Sequence, residues 1–149
     1  MIITDEKILR TPCIDVLPDE VGALREALEK ELKLSEEGGR PGIGLAAPQI
    51  GIFKKMAIVR IPNKEGVCVF GADLINCRIA AGYDSAFFDN EGCLSYPDKF
   101  VRTMRYQEIY VVENLIEPFS FIATGLAAVC IQHELDHLRG VLLPDVALK

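Results

Sequence analysis

The chain has no tryptophan, only two histidines, and no paired cysteines. Its five cysteines, Cys13, Cys68, Cys77, Cys93 and Cys130, are odd in number and scattered, with no CxxC pair. That excludes a secreted-style disulfide framework and makes a reducing compartment the expectation. Basic clusters are also missing. Sixteen Lys and Arg stand against 22 Asp and Glu, for a net charge of −6. A nucleic-acid surface needs clustered cations to neutralise phosphates, so no direct nucleic-acid partner is expected. The longest largely apolar run, residues 121–131, is too short to span a bilayer and is interrupted by Thr124 and Gly125. The opening MIITDEKILR carries Asp5 and Glu6 and no apolar core, unlike a secretory or transit leader. A cytoplasmic protein with no membrane partner is expected. Repeats, low-complexity tracts and Pro/Ser linkers are absent, so 1–149 is expected to be one domain, half hydrophobic and long enough to bury a core.

Regular elements can be read from periodicity. Pro18 and Asp19 signal a helix start, and Val21, Leu24, Ala27, Leu28 and Leu32 follow at the three-and-four spacing of one helical face. That helix is expected to end near Glu37, before Gly38 and Gly39. The glycines and prolines of RPGIGLAAPQIG break any regular pattern there. Strand-like runs follow at Met56 to Ile61, stopped by Pro62, and at Val67 to Phe70, Ile109 to Val112 and Phe119 to Ile122. A last helix opens after Thr124 and runs to a C′ glycine at Gly140. Helix, several strands, then an apolar helix fits α+β with mostly antiparallel strands.

Both histidines lie in CIQHELDHLRG, residues 130–140, four apart. On a helix, positions i and i+4 share a face, so His133 and His137 can offer two nitrogens to one ion with Glu134 beside them. A catalytic site needs a third protein ligand and one open position. A third histidine at the metzincin spacing is excluded because Leu143 stands there, and downstream only Asp145 offers a carboxylate. The third ligand is therefore expected upstream, from a cysteine or a carboxylate. Cys93 in EGCLS sits in a Gly-flanked, turn-like stretch that could present a thiolate or equally bury a small side chain. For Cys13, Cys68 and Cys77 the buried small hydrophobe is the preferred reading. Cys130, three residues before His133, is a neighbour of the site.

Such a set suits hydrolysis. A metal polarises a carbonyl and acidifies water, Glu134 can carry a proton from that water to a leaving amine, and the Gln49 side chain or the Leu94 backbone N–H can bind developing negative charge. GIGLAAPQ, residues 42–49, is not a phosphate loop, having neither the spacing nor the lysine. Alone it reads as a tight turn.

Together, GIGLAAPQ, EGCLS and QHELDH resemble, in order, the three signature motifs of the peptide deformylases, and DEKILRTP resembles that family's opening segment. The resemblance implies an α+β fold with mostly antiparallel strands around a central HExxH helix. It also implies a metal-dependent amidase that removes the N-formyl group from the initiator methionine of nascent chains. Residue by residue it implies Cys93, His133 and His137 as metal ligands, Glu134 as general acid/base, and Gln49 with the Leu94 amide as oxyanion donors. Gly44 matches a glycine whose backbone binds substrate, and Ile43, Leu126, Val129 and Cys130 match positions near the methionine side chain. One divalent ion is implied, Fe2+ in the cell, with Zn2+, Ni2+ or Co2+ in preparations.

Three departures stand out. The chain stops nine residues after Gly140, short of the usual C-terminal helix, as in forms resembling it from bacteriophages; ribosome contact is left open and a monomer is expected. Cys77 in LINCRI stands where proline is usual. Phe100 occupies a place where many members have a peptide-binding arginine, for which Arg102 or Arg105 is the expected substitute. Two rivals remain at this stage: an HExxH endopeptidase and a non-catalytic metal-binding module.

Overall fold

The structure, a computed structural model, describes residues 1–149. Its centre is a three-stranded antiparallel sheet built from β1 (Gly44–Ala46), β2 (Met56–Pro62) and β3 (Cys68–Ile75), in that order. Successive side chains of a strand point to opposite faces, and in β2 that alternation divides the core in two. Met56 and Ile58 join Leu45 and Ile75 beneath one helix, while Ala57 and Val59 join Ala46 and Leu74 beneath another. Burial on both faces is why the Met56 to Val59 segment reads as an unbroken apolar run.

The first covering helix is α2 (Val21–Glu37), whose Val21, Leu24, Leu28 and Leu32 are buried as the spacing predicts. A 3-10 turn at Pro18–Glu20 leads into it, with the Leu17 N–H donating to the Glu20 carboxylate at 2.8 Å. Leu28 is fully buried, so truncating it to alanine costs about 2–5 kcal/mol. A short helix, α1 (Glu6–Leu9), is capped by the Asp5 carboxylate accepting from Lys7 N–H at 2.9 Å.

The second covering helix, α3 (Gly125–Leu138), is buried at every position from Ala128 to Leu138. It packs on the first sheet and on a second antiparallel sheet, β4 (Arg78–Cys93), β5 (Tyr96–Val112) and β6 (Phe121–Thr124), which adds Ile109, Val111 and Ala123 to the same core. The helix stops where the sequence expects. Gly140 has φ +71°, its N–H donates to His137 O at 3.1 Å, and the Val141 N–H donates to Asp136 O at 2.9 Å. These two bonds are a Schellman cap, which needs a left-handed residue at C′. A last turn, α4 (Leu143–Val146), packs Leu143 near Leu9 and Tyr96.

The α+β expectation holds, with several elements corrected. GIGLAAPQ is not patternless: it forms β1 and then a 3-10 turn, Ala47–Ile50. Strand β3 runs five residues past Phe70, and β6 begins at Phe121 because Phe121 pairs with Val111 while the Phe119 carbonyl instead accepts from Asn114 N–H in the preceding turn. The long β4–β5 hairpin was visible only at Ile109 to Val112. Its register shifts near Ile79, Phe88 and Gly92, and positive φ at Asp84 and Asn90, interrupt the period of two.

Candidate metal centre

The β4–β5 hairpin turns at Leu94 and Ser95, with Cys93 paired to Tyr96, so Cys93 lies at its tip. That tip meets α3 where both histidines face it. Cys93 Sγ is 3.4 Å from His137 Nε2, which is 3.3 Å from His133 Nε2, and all three ligand atoms lie within 4.8 Å of one another. A tetrahedral ion bound at the usual Zn–N and Zn–S lengths has ligand–ligand edges of about 3.3–3.6 Å. Two edges of the cluster already match, so the donor set fits a divalent metal. The downstream alternative fails because Asp145 is committed to Arg10, at 2.8 and 3.0 Å.

One of the candidate ligands is oriented by a buried network. His133 Nδ1 bonds Glu91 Oε2 at 2.8 Å, leaving Nε2 for the cluster. Glu91 in turn accepts from Thr103 Oγ1 at 2.7 Å and from Arg105 Nε and Nη2, at 2.9 and 2.6 Å. Arg105 also donates to Asp136 at 2.7 Å. Burial works to raise the pKa of Glu91, but Arg105 and His133 overcome it and hold the carboxyl at about 2. Burial likewise disfavours a charged His133, yet the pull of Cys93 and Glu91 prevails and its pKa rises. Burial, with His133 beside it, drives His137 down to about 3. The two imidazoles are thus shifted in opposite directions by the groups around them.

A cavity of about 470 Å³ opens onto this centre. It is lined by Ile43, Gly44, Gln49, Cys93, Leu94, Leu126, Val129, Cys130, His133 and Glu134 among others. His137 lies behind that lining. Glu134 Oε1 is buried with no hydrogen-bond partner, and burial pushes the carboxyl up to about 7. Gly44 makes room for it: a Cβ at Gly44 would stand 2.5 Å from Glu134 Oε2. The Gln49 amide is held by its oxygen, which accepts from Ala46 N–H at 2.9 Å. Its nitrogen therefore faces Ser95 Oγ, at 3.0 Å, and Cys93 Sγ, at 3.6 Å.

All the residues singled out for the site therefore converge, but three other expectations fail. Arg105 cannot serve a substrate, being buried against Glu91 and Asp136; Arg102 pairs with Asp89 and lies over the Phe87 ring. Cys68 is exposed rather than buried, because β3 turns it away from the core near the hairpin end. Glu91, Thr103 and Arg105 were missed as partners. Thr103 and Arg105 are buried while Arg102, Met104 and Tyr106 are exposed, an inward polar alternation that was the available signal.

The family model for polypeptide deformylase matches residues 1–149. The chain belongs to that family. It is 42% identical over 106 residues to a peptide deformylase of Prochlorococcus marinus (strain MIT 9515), covering 70% of this chain and 52% of that protein. Thus the match spans about half the length of that curated relative. It is 38% identical over 137 residues to the Desulfotalea psychrophila peptide deformylase, covering 87% of this chain and 80% of the relative. Among solved structures it is similar to one described as a probable peptide deformylase from Synechococcus phage S-SSM7, with a TM-score of 0.83, 31% identity and 98% of each chain covered. Polypeptide deformylases use a divalent metal, and the Cys93, His133, His137 group of this member is suited to hold one. No helix is long and apolar enough to cross a membrane.

Proposed function

We propose that residues 1–149 form a single catalytic domain that removes the N-formyl group from the formyl-methionine of nascent polypeptides and releases formate. The observation that carries this is the clustering of Cys93, His133 and His137 beside a buried, unpartnered Glu134 oxygen, with Cys93, His133 and Glu134 lining one cavity.

In this reading Cys93, His133 and His137 hold the metal, Fe2+ in the cell and Zn2+, Ni2+ or Co2+ after handling in air. The ion supplies Lewis acidity, polarising the formyl carbonyl and lowering the pKa of water. Glu134 takes the proton of the attacking water and delivers it to the departing amine nitrogen. A carboxyl near 7 is suited to both transfers at neutral pH. Gln49, its nitrogen aimed at the Cys93 side of the cavity, and the Leu94 N–H donate to the oxygen on which charge develops. The Gly44 backbone receives the peptide, and Ile43, Leu126, Val129 and Cys130 surround the methionine side chain.

The protein acts as a monomer in the cytoplasm, the host's if a phage encodes it, on formyl-methionyl chains leaving the ribosome. Neither nucleic acid nor membrane is a partner. The test is formate release from formyl-Met-Ala-Ser by anaerobically purified protein whose metal content is read on the same sample. Turnover with about one metal per chain supports the reading; a metal-loaded protein that releases no formate overturns it.

A further inference from the structure

We propose that Ser95 is a positioning residue for this reaction: anchored on the Ile3 carbonyl, it fixes the direction in which the Gln49 side-chain amide donates. The inference rests on the deformylase reading above. It adds to the site a residue, and with Ile3 the N-terminal segment, outside the set of ligands, proton carrier and oxyanion donors.

Ser95 and Gln49 are each only 2% exposed, so their polar atoms depend on protein partners. Four groups form one line. The Ala46 N–H donates to Gln49 Oε1 at 2.9 Å, Gln49 Nε2 donates to Ser95 Oγ at 3.0 Å, and Ser95 Oγ donates to the Ile3 carbonyl at 2.7 Å. The Ile3 N–H donates back to the Gln49 carbonyl at 2.8 Å, which closes Gln49, Ser95 and Ile3 into a ring.

Both ends of the line have a fixed sense, because a backbone N–H only donates and a backbone carbonyl only accepts. Ile3 therefore takes the single hydroxyl proton of Ser95, and the Ser95 lone pairs are left facing Gln49. At the other end Ala46 requires the amide oxygen. Reversing the amide would set donor against donor there and leave a buried N–H without a partner. Of the two Nε2 hydrogens one is engaged by Ser95, and the second is left on the side of Cys93 Sγ, 3.6 Å away. Gln49 and Cys93 line the cavity and Ser95 does not, so Ser95 acts on a substrate only through the amide. A donor already aimed needs no reorientation as charge develops.

The experiment measures kcat and KM for formyl-Met-Ala-Ser on metal-quantified parent, S95A, S95T, Q49A and the S95A/Q49A double variant. S95A is expected to lower kcat about tenfold and to leave KM within about twofold, the effect of one lost hydrogen bond to a buried donor. S95T keeps the hydroxyl and is expected to recover most of the loss. In the Q49A background the S95A change is expected to alter kcat by less than about twofold, because the amide it positions is gone. An S95A kcat equal to the parent's, or an undiminished S95A effect in Q49A, overturns the positioning role and leaves the deformylase reading standing. A metal-loaded parent that releases no formate overturns that reading, and the positioning role with it. The ring is also read without turnover, and whether or not S95A folds, from the side-chain amide resonances of the isotope-labelled, Zn2+-loaded parent. One Gln49 Nε2 proton is expected to exchange with solvent at least about tenfold more slowly than those of the exposed Gln107. Equally fast exchange at both residues overturns the ring.

Discussion

Two carboxylates in this fold are each gripped by arginine, and they do different work. Asp73 in β3 accepts from Arg25 of α2 and Arg60 of β2, the latter at 2.7 Å, and Arg60 also reaches Glu29 at 2.9 Å. Both arginines keep part of their side chains in water, 38% and 26% exposed. Glu91 is gripped by Arg105 with both partners almost fully buried, and its other partners are Thr103 and a proposed metal ligand, His133. The first network clamps a helix on a sheet. The second fixes which nitrogen of an imidazole faces the cavity. What separates them is access to water: an arginine freed at Asp73 can be resolvated, whereas a carboxylate freed at Glu91 cannot.

The comparison is broken most severely at Glu134, which stands outside both networks. E134Q keeps the metal and the fold and is expected to lose about a hundredfold to ten-thousandfold in formate release, read as kcat on metal-quantified protein. An undiminished rate removes the proton carrier from the mechanism. Next comes R105A, which leaves Glu91 and Asp136 buried without their cation. It is expected to cost about 3–5 kcal/mol in denaturant unfolding and to weaken metal binding about 10- to 100-fold in competition with a chelator. D73A should cost only about 1–2 kcal/mol and leave metal affinity unchanged. Equal effects of R105A and D73A on metal binding would erase the distinction between the networks.

Acid sharpens it further. Glu91 has a folded pKa of about 2 against an ordinary 4.5, so between those values the unfolded chain binds more protons. Its stabilisation is complete above pH 4.5 and is lost as pH falls towards 2, on the order of 3 kcal/mol in all. E91Q removes that dependence, so its unfolding free energy should change less over pH 4.5 to 2 than the parent's. Parallel curves would place the acid sensitivity elsewhere, for instance at Asp73, whose carboxyl is also held low although burial opposes it.

How much of this was readable in the sequence follows from the same physics. The α3 helix and its cap were legible because an apolar helix ending in a glycine is a local pattern, and His133 and His137 are four apart on it. The α2 face was legible because burial on one face leaves a periodic trace, and the β2 strand because burial on both leaves an unbroken apolar run. The β4–β5 hairpin was not, because bulges and left-handed residues at Asp84 and Asn90 interrupt alternation and much of it faces water. The role of Glu91 is not legible within EGCLS, since its partner Arg105 lies 14 residues away and meets it only once the hairpin closes. The same closure decided against Arg105 as a peptide-binding residue, a point no local pattern contains.

The most direct test of the account is the X-ray absorption spectrum of the metal in anaerobically purified protein. The account predicts one sulfur at about 2.3 Å and two imidazole nitrogens at about 2.0–2.1 Å, with the sulfur lost in C93S. A shell of nitrogen and oxygen alone, unchanged by C93S, would contradict it.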